Sequence, residues 1–473
     1  MNGAILRLFG LVVILFGLLI AWTSRWTVFD ANALQKSPLN HRAALAELTI
    51  KRGKILARDG ELLARSVRGP GGTWTRTYPT GQLFAQAVGY SNAAFGQSAG
   101  LERSQAAALN GAPSGVASIF GSFSGGPQVG NDVYTTLDPT AQRLAVSELA
   151  GRAGSVVALN PKTGAVEVLY SNPTYNDNHP NAPGSTQFVS ALQSGFPPGS
   201  TFKVVTSTAA LNSRAYTPIS LINGDSPIIV SGVPLTNDYN QSWGPITLTR
   251  ALTYSVNTVF AQVGERLGID TLARYMKRFG FYSVPPLDFP RDEMTASGAR
   301  SRLNGRLLAP TSGLIDVGRM AIGQDTLAVS PMQMAMVASA VADGGTLMKP
   351  HLVSKIVNPD GQLLQTVQPT VYRRVMRPSI ARELALMMTD VVEEGTGTAA
   401  NLSGIRVAGK TGTAEIGVVG SNVTQPWFIG FAPVDNPSVA VAVTVDRTAG
   451  GFGGTVAAPI AAAVIKTLLA EGQ

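Results

Sequence analysis

An uncharged, mostly apolar run near the start of the chain restricts the fold more than any other feature. Residues 8–24 are dominated by Leu, Ile, Val, Phe and Gly. As an α-helix this run would be about 26 Å long, just enough to cross the apolar core of a bilayer. Arg7 and the amino terminus favour a cytoplasmic location for the preceding end, although Arg25 on the other side weakens the charge asymmetry. We therefore assign residues 1–26 to a cytoplasmic tip and a transmembrane anchor.

A cleaved signal peptide is the alternative interpretation of this run. Such peptides end in a small-x-small cleavage site, and Ala21-Trp22-Thr23 is a poor one. The sequence therefore favours an uncleaved anchor. Because we find no second apolar run of this length, we expect a single-pass protein of the cell membrane. The remainder of the chain, with any catalytic domain, should then lie outside the cytoplasm.

The residue composition excludes several classes of site. The chain contains no Cys, which excludes disulfides, thiolate catalysis and cysteine metal sites. Its histidines, His41, His179 and His351, are far apart in the sequence, so we expect no metal and no cofactor. The net charge of +8 and the pI near 9.7 suit an anionic cell surface and, equally, ordinary solubility. No dense basic run is present, which argues against nucleic acid as a partner.

The segment Pro197-Pro198-Gly199-Ser200-Thr201-Phe202-Lys203 predicts the start of a helix. Pro and Gly interrupt the preceding structure, and good helix formers follow to Leu211. Ser200 would lie at or next to the helix N-terminus, with Lys203 one turn later on the same face. A serine hydroxyl needs a base to become a nucleophile, and an amine one turn away can reach it. By itself, however, Ser-x-x-Lys is a common pattern at helix starts.

Two further motifs make the pattern specific. Ser255-Val256-Asn257 supplies Ser-x-Asn, and Lys410-Thr411-Gly412 supplies Lys-Thr-Gly. In this chain order the three motifs resemble those of penicillin-binding proteins and serine β-lactamases. A second Lys-Thr-Gly, at Lys162, precedes the other motifs and lies between two apolar runs. We interpret that copy as a hairpin turn.

The segment that follows the anchor resembles the N-terminal region of class B penicillin-binding proteins. The resemblance rests on residues 52–64, with Arg52-Gly53 and a predicted hairpin turn at Asp59-Gly60, and on Tyr78-Pro79 and Gly100-Leu101-Glu102. We therefore assign residues 27–145 to a pedestal (class B dimerisation-like) domain and residues 146–473 to a transpeptidase domain. Gly and Ser are frequent in residues 111–130, which predicts a flexible connection. The short pedestal is most similar to that of actinobacterial homologues of the penicillin-binding protein A type.

The expected fold class is α+β. Candidate strands lie at both ends of residues 146–473 and candidate helices lie between them, which predicts one antiparallel sheet whose first and last elements meet. The resemblance implies the rest: a transmembrane helix, a small β-rich pedestal, and a penicillin-binding transpeptidase domain. That domain would contain a five-stranded antiparallel sheet with helices on both faces and a helical subdomain, with the active site between sheet and subdomain.

The resemblance also implies the catalytic roles. Ser200 would attack the carbonyl between two D-alanines of a peptidoglycan stem peptide and form an acyl-enzyme. Lys203 would act as the base, provided that burial and the charge of Lys410 lower its pKa. Ser255 would relay a proton to the leaving amine. Asn257 would hold Lys203 and bind the substrate amide.

The strand that contains Lys410 would bind the substrate. Lys410 would attract the terminal carboxylate, and Thr411 and Thr413 would donate hydrogen bonds to it. Gly412 would let the strand backbone approach the ligand closely. The family's oxyanion hole maps to the backbone N–H groups of Ser200 and Thr413.

The leading hypothesis is a D,D-transpeptidase that cross-links peptidoglycan in division or elongation and is inhibited by β-lactams. The family implies a membrane glycosyltransferase partner of the SEDS type. A D,D-carboxypeptidase or a β-lactamase is the second candidate; a class A β-lactamase would carry Glu-x-x-x-Asn, and Ser297 occupies the asparagine position that follows Glu293. A non-catalytic antibiotic sensor or wall-binding scaffold is the third, although a sensor would need a larger cytoplasmic part.

Overall fold

The computed structural model describes residues 2–26, 47–111, 129–416 and 422–471. Residues 112–128, which form most of the Gly/Ser-rich connection expected from the sequence, lie outside the described residues. The longer helices and the helix next to Ser-x-Asn are α1 (Asn2–Ser24), α2 (Pro139–Leu149), α3 (Lys203–Asn212), α4 (Leu248–Thr253), α5 (Asn257–Arg278), α6 (Pro331–Ala342), α7 (Pro378–Glu393) and α8 (Gly453–Glu471). Shorter helices are found at Ala85–Val88, Gly100–Ser104, Ala106–Leu109, Ser190–Gln193 and Val317–Ala321.

The strands form two large sheets and several short pairs. The strands of the large sheets are β1 (Ile55–Leu56), β2 (Leu62–Arg68), β3 (Trp74–Thr77), β4 (Asp132–Thr135), β5 (Gly154–Leu159), β6 (Val166–Asn172), β7 (Val353–Val357), β8 (Leu363–Thr366), β9 (Ala408–Glu415), β10 (Val423–Ala432), β11 (Val439–Val445) and β12 (Thr448–Ala449). The short strands are Ser91–Asn92, Gln97–Ser98, Leu221–Asn223, Ile228–Val230, Val233–Leu235, Pro245–Thr247, Gly298–Ala299, Leu327–Ala328, Thr346–Met348 and Val371–Arg374.

Helix α1 contains the apolar run, and its described side chains are mostly exposed. Within it, Ile5–Ser24 has a mean hydropathy of 2.5 and is long and apolar enough to span a membrane. Helix α8 also meets that criterion of length and composition, with a mean hydropathy of 1.6, which the sequence analysis did not anticipate. Half of α8 is buried against the protein, however, so it is a core helix. Helix α1 is the candidate membrane anchor.

The larger domain is built on an antiparallel sheet with the strand order β9-β10-β11-β5-β6, and the short β12 pairs with β10. The first strand of the domain pairs with one of its last, because β5 lies beside β11. The sheet is buried on both faces, since β11 is buried along its whole length. Helix α6 packs on one face, and α2 and α8 pack on the other. The expected sheet and its helical layers are confirmed.

The pedestal sheet has the strand order β8-β7-β4-β1-β2-β3. The predicted turn at Asp59-Gly60 joins β1 to β2, and Gly60 has a φ of +92°, which glycine adopts without strain. Strand β1 runs parallel to β4, and β7 pairs with β4 on the other side. The hairpin β7–β8 therefore belongs to the pedestal sheet, although more than 200 residues of sequence separate it from its partner strand β4.

Ion pairs stabilise the pedestal and join it to the larger domain. Glu102 accepts hydrogen bonds from Arg52 Nη2 at 2.8 Å and from Arg76 Nε at 2.5 Å. This pairing stabilises the ionised carboxylate, and it lowers the pKa of Glu102 although burial acts in the opposite direction. Arg58 forms ion pairs with Asp138 and with Glu471 at the end of α8. Arg52 and Arg58 of the 52–64 motif therefore have structural roles.

Candidate active site

The turn that contains Ser200 lies between the large sheet and α3. Residues Gly199–Phe202 form a 3-10 turn and α3 begins at Lys203, so the predicted helix begins with a tighter turn than an α-helix. Gly199 has a φ of +53°, and its N–H donates to Gly323 O at 3.0 Å. The turn is therefore held by its backbone, which leaves the Ser200 side chain half-buried and accessible.

Lys203 is fully buried and makes close contacts with the Ser-x-Asn motif. Its Nζ donates to Ser255 O at 2.6 Å and to Asn257 Oδ1 at 2.7 Å, and lies 3.3 Å from Ser255 Oγ. The structure thus brings Lys203, Ser255 and Asn257 together, as the motif order predicts. Within the described part of the chain, Lys203 makes no hydrogen bond to Ser200. Such bonds are often formed only once substrate is bound.

Ser255 stands at the break between α4 and α5. Thr247 caps α4, because its Oγ1 accepts a hydrogen bond from Arg250 N at 3.3 Å. Ser255 has a φ of +62°, an unfavourable conformation for a residue with a side chain. This strained backbone directs the Ser255 carbonyl to Lys203 and allows α5 to begin with Asn257. Strain of this kind is typical of functional sites.

Strand β9 forms the opposite wall of the site and lies against the Ser200 turn. Lys410 is fully buried, and its Nζ donates to Thr411 O at 3.0 Å. A Cβ atom added to Gly412 would lie 2.8 Å from Pro198 O, so only glycine permits this approach of strand and turn. Thr413 is half-buried and its Oγ1 accepts a hydrogen bond from Gly453 N at 3.1 Å. Of the β9 residues predicted to bind substrate, Gly412 therefore lies directly against the Ser200 turn.

The backbones of the Ser200 turn and of Thr413 are adjacent. A Cβ atom added to Gly199 would lie 3.0 Å from the Thr413 carbonyl carbon and 3.1 Å from its oxygen. The two segments that contain the predicted oxyanion donors are thus in contact. The Thr411 hydroxyl already has a hydrogen-bond partner, because its Oγ1 lies 2.5 Å from Thr396 Oγ1. A substrate carboxylate would have to compete with that hydrogen bond.

Burial lowers the pKa of both lysines, and the charge of Lys410 lowers that of Lys203 further. Burial, together with the positive charge of Lys410, holds the pKa of Lys203 well below its usual value, whereas Asp238 acts in the opposite direction. Burial lowers the pKa of Lys410 to about 7, again opposed by Asp238. The two causes predicted for Lys203 from the sequence, burial and the second cation, are therefore both present. Lys203 is suited to accept a proton from a serine.

Several residues that position the site were not assigned this role from the sequence. Gly323 accepts the hydrogen bond from Gly199 N, and Trp427 Nε1 donates to Pro197 O at 3.0 Å. Neither residue belongs to the three motifs identified in the sequence. Tyr239 and Phe452 were not singled out, yet their ring centroids lie 6.3 Å apart, next to Asp238 and Gly453 respectively. No local signal in the sequence marks this ring pair.

Two family models match the chain. The model for the penicillin binding protein transpeptidase domain matches residues 154–466. The model for the penicillin binding protein A dimerisation domain matches residues 52–133. The two matches follow the same order as the pedestal sheet and the larger domain.

Full-length relatives show the same similarity. The peptidoglycan D,D-transpeptidase PbpA of Mycolicibacterium smegmatis is 34% identical, with 100% of each chain covered. The PbpA of Mycobacterium tuberculosis is 32% identical, with 99% of each chain covered. Among solved structures, the ceftriaxone acyl-enzyme complex of penicillin-binding protein A from M. tuberculosis has a TM-score of 0.79 at 30% identity. That similarity covers 90% of this chain and all of the other.

Proposed function

Because the chain belongs to the class B penicillin-binding proteins of the PbpA type, we propose that it is a peptidoglycan D,D-transpeptidase with Ser200 as its nucleophile. The observation that carries this proposal is the arrangement of Lys203. A fully buried lysine next to a second buried lysine is bonded to Ser255 and Asn257 beside an accessible serine. We propose that the enzyme cross-links stem peptides in cell wall synthesis, during division or elongation.

The first half of the reaction forms an acyl-enzyme. Ser200 Oγ attacks the carbonyl carbon of the penultimate D-alanine, while neutral Lys203 takes the hydroxyl proton. The N–H groups of Ser200 and Thr413 stabilise the oxyanion, each worth ~2.7–4 kcal/mol of barrier. The peptide C–N bond then breaks, and the proton passes from Lys203 through Ser255 Oγ to the leaving amine of the terminal D-alanine. Lys203 is neutral again at the end of this step.

The second half transfers the acyl group to an amine. An amino group of a second stem peptide attacks the ester carbonyl and gives up a proton to Lys203. The ester C–O bond breaks, and Ser200 regains its proton. Charged Lys410, with Thr411 and Thr413, binds the terminal carboxylate of the donor peptide in the first half. Asn257 binds the donor amide.

Transfer is favoured over hydrolysis by the position of Glu293. This carboxylate would be the candidate to activate a hydrolytic water if the chain were a class A β-lactamase. In the structure it accepts a hydrogen bond from Gly100 N at 3.0 Å and forms an ion pair with Arg103 at 3.1 Å, both in the pedestal. Ser297 is buried, and its Oγ accepts a hydrogen bond from Ser330 N. Among the described residues, neither forms a hydrogen bond or ion pair with the Ser200 turn, which argues for a long-lived acyl-enzyme.

Mass spectrometry of the full-length protein in detergent with penicillin tests the proposal. We expect one penicillin adduct per chain, very slow turnover, and no adduct in Ser200→Ala. Rapid multiple turnovers would assign the chain to the β-lactamases. The absence of any adduct in the wild type would favour a non-catalytic scaffold.

The proposed setting of the enzyme is the outer side of the cytoplasmic membrane. We propose that α1 is an uncleaved anchor, that residues 27–145 form the pedestal, to whose sheet the hairpin β7–β8 is added, and that the rest of residues 146–473 forms the transpeptidase domain. The pedestal would meet a SEDS-type glycosyltransferase that supplies new glycan strands. Sequencing the N-terminus of the protein from membranes tests the anchor, and a mature start after residue 22 would contradict it.

A further inference from the structure

A short loop brings a carboxylate close to the active-site lysines. Asn237 is buried and fixes the loop: its Nδ2 donates to Gly224 O at 3.0 Å and to Gln241 O at 2.9 Å, and its Oδ1 accepts from Thr258 N at 2.9 Å. The next residues are exposed, and Tyr239 has a φ of +56°. A loop that is pinned at one residue and strained at another holds Asp238 in a defined position.

The amide of Asn257 connects this loop to Lys203. Asn257 Nδ2 donates to Thr236 O at 3.3 Å and lies 3.5 Å from Asp238 Oδ1. Two acceptors on the loop therefore face the NH₂ group of the amide. The Oδ1 atom must then point the other way, where it accepts the 2.7 Å hydrogen bond from Lys203 Nζ. An acceptor at position 238 helps to prevent the amide from turning over.

Asp238 also supplies negative charge to a site that contains two buried lysines. Lys203 lies on α3, which packs against the Ser200 turn, α5 and α7. Among the described residues, the charged groups that act on Lys203 are Lys410, which lowers its pKa, and Asp238, which raises it. Asp238 likewise raises the pKa of Lys410. The same carboxylate thus opposes the effect of burial on both lysines.

We propose that Asp238 is a positioning residue for the acylation of Ser200, which holds the Asn257 amide toward Lys203 and balances the charge of Lys203 and Lys410. The inference rests on the proposed function, because it assumes that Lys203 is the base. Lys203 must be neutral to accept the serine proton, and Lys410 must be charged to attract a carboxylate. The rate of acylation should therefore rise with pH as Lys203 loses its proton and fall as Lys410 does.

The second-order rate of acylation by a fluorescent penicillin, measured from pH 5 to 10 on the full-length protein, tests this role. Such a rate constant reports the pKa values of the free enzyme. In Asp238→Asn both lysines lose a favourable charge, so their pKa values fall. We expect both limbs of the pH profile to move to lower pH by about half a unit or more. Asp238→Glu, which keeps the charge, should restore the midpoints.

Asp225→Asn is the matched control. Asp225 is an exposed carboxylate on the same segment, bonded to Ser242 Oγ at 2.9 Å, and it does not act on either lysine. Its profile should match the wild type. A uniform fall in rate without movement of the limbs in Asp238→Asn, or no change at all, would overturn the inference. Failure of the wild type to be labelled, or labelling of Ser200→Ala, would instead overturn the proposed function.

Discussion

The chain contains Lys-Thr-Gly twice, and the two copies lie in opposite environments. Lys162 is exposed in the turn between β5 and β6, where its Nζ contacts the side chain of Asn436. Lys410 is fully buried in β9. Because the sheet order is β9-β10-β11-β5-β6, the two copies lie at opposite edges of one sheet. Only the copy at the edge that faces the Ser200 turn is part of the candidate active site.

The glycines of the two triplets show why the local sequence is not decisive. Gly164 has a φ of +82° and is required by the turn itself. Gly412 lies in a regular strand, where it is required because Pro198 O would lie 2.8 Å from an added Cβ atom. Gly164 is required by its positive φ and also by Lys349 O, which would lie 2.3 Å from an added Cβ atom, whereas Gly412 is required only by neighbours, the nearest of them more than 200 residues away in sequence. The same triplet thus meets different structural requirements at the two places.

Removal of the lysine charge should separate the two copies most strongly. Lys410→Ala should lower the rate of acylation by penicillin by about 10²–10³-fold, the range for loss of one preorganised electrostatic group. Lys162→Ala should stay within about twofold of the wild type, as is usual for exposed substitutions. Fluorescent-penicillin labelling rates of the full-length variants measure both. Equal losses would show that the functional strand has been misassigned.

Removal of the Lys410 charge should lower the rate of acylation but raise the stability of the folded protein. Lys410→Met keeps the aliphatic stem and removes the buried ammonium group, so the variant should be more stable than the wild type by a few kcal/mol below pH 7. The pKa of Lys410 falls from 10.5 to about 7 on folding. Between these values the unfolded chain binds a proton that the folded chain does not, so wild-type stability rises with pH.

The advantage of Lys410→Met should therefore shrink from pH 7 upward and disappear above about pH 10.5. Denaturant unfolding of both proteins across this range measures the difference. Lys162→Met, whose side chain is already exposed, should change stability by no more than about 0.5 kcal/mol. A constant advantage of Lys410→Met at every pH would contradict the lowered pKa.

Substitution of the two glycines should give the smallest effects, and each substitution should affect a different property. Gly412→Ala should slow acylation roughly 10-fold, because the added methyl group separates β9 from the Ser200 turn. Gly164→Ala would place a Cβ atom 2.3 Å from Lys349 O at a positive φ. We expect it to lower stability by ~1–3 kcal/mol while folded molecules acylate normally. Labelling rates and thermal unfolding of the two variants distinguish these outcomes.

The sequence predicted the parts of the site that depend on short spacings and motif order. Ser200 and Lys203 are three residues apart, and the hairpin at Lys162 follows from its flanking apolar runs. The closeness of Lys410 to Lys203 was implied only by the family resemblance, and the complete burial of Lys410 was not predicted. The role inferred for Asp238 depends on a loop whose shape is set by Asn237 and by long-range packing. No local pattern of residue types reports such contacts.

The fold, like the site, was predictable where it depends on local sequence and was not predictable where it depends on long-range contacts. The antiparallel sheet of the larger domain was predictable because apolar strands occur at both ends of its sequence. The helix start at Ser200 was predicted, but its 3-10 geometry was not. The hydrogen bond from Gly199 N to Gly323 O was not predicted either, because it joins residues more than 100 apart in sequence. The membership of β7 and β8 in the pedestal sheet was also missed, since strand pairing across more than 200 residues leaves no periodic signal.

The position of the β7–β8 hairpin late in the sequence determines when the pedestal sheet can be completed during synthesis. A protein emerges from the ribosome N-terminus first, at ~5–20 residues per second. About 200 residues separate β4 from its neighbour β7, so the edge of β4 should wait roughly 10–40 s for its partner. During that interval the nascent pedestal presents an open strand edge, which is the kind of surface that pairs with other chains. We therefore expect newly made protein to be most vulnerable to aggregation, and most in need of a chaperone, at the pedestal.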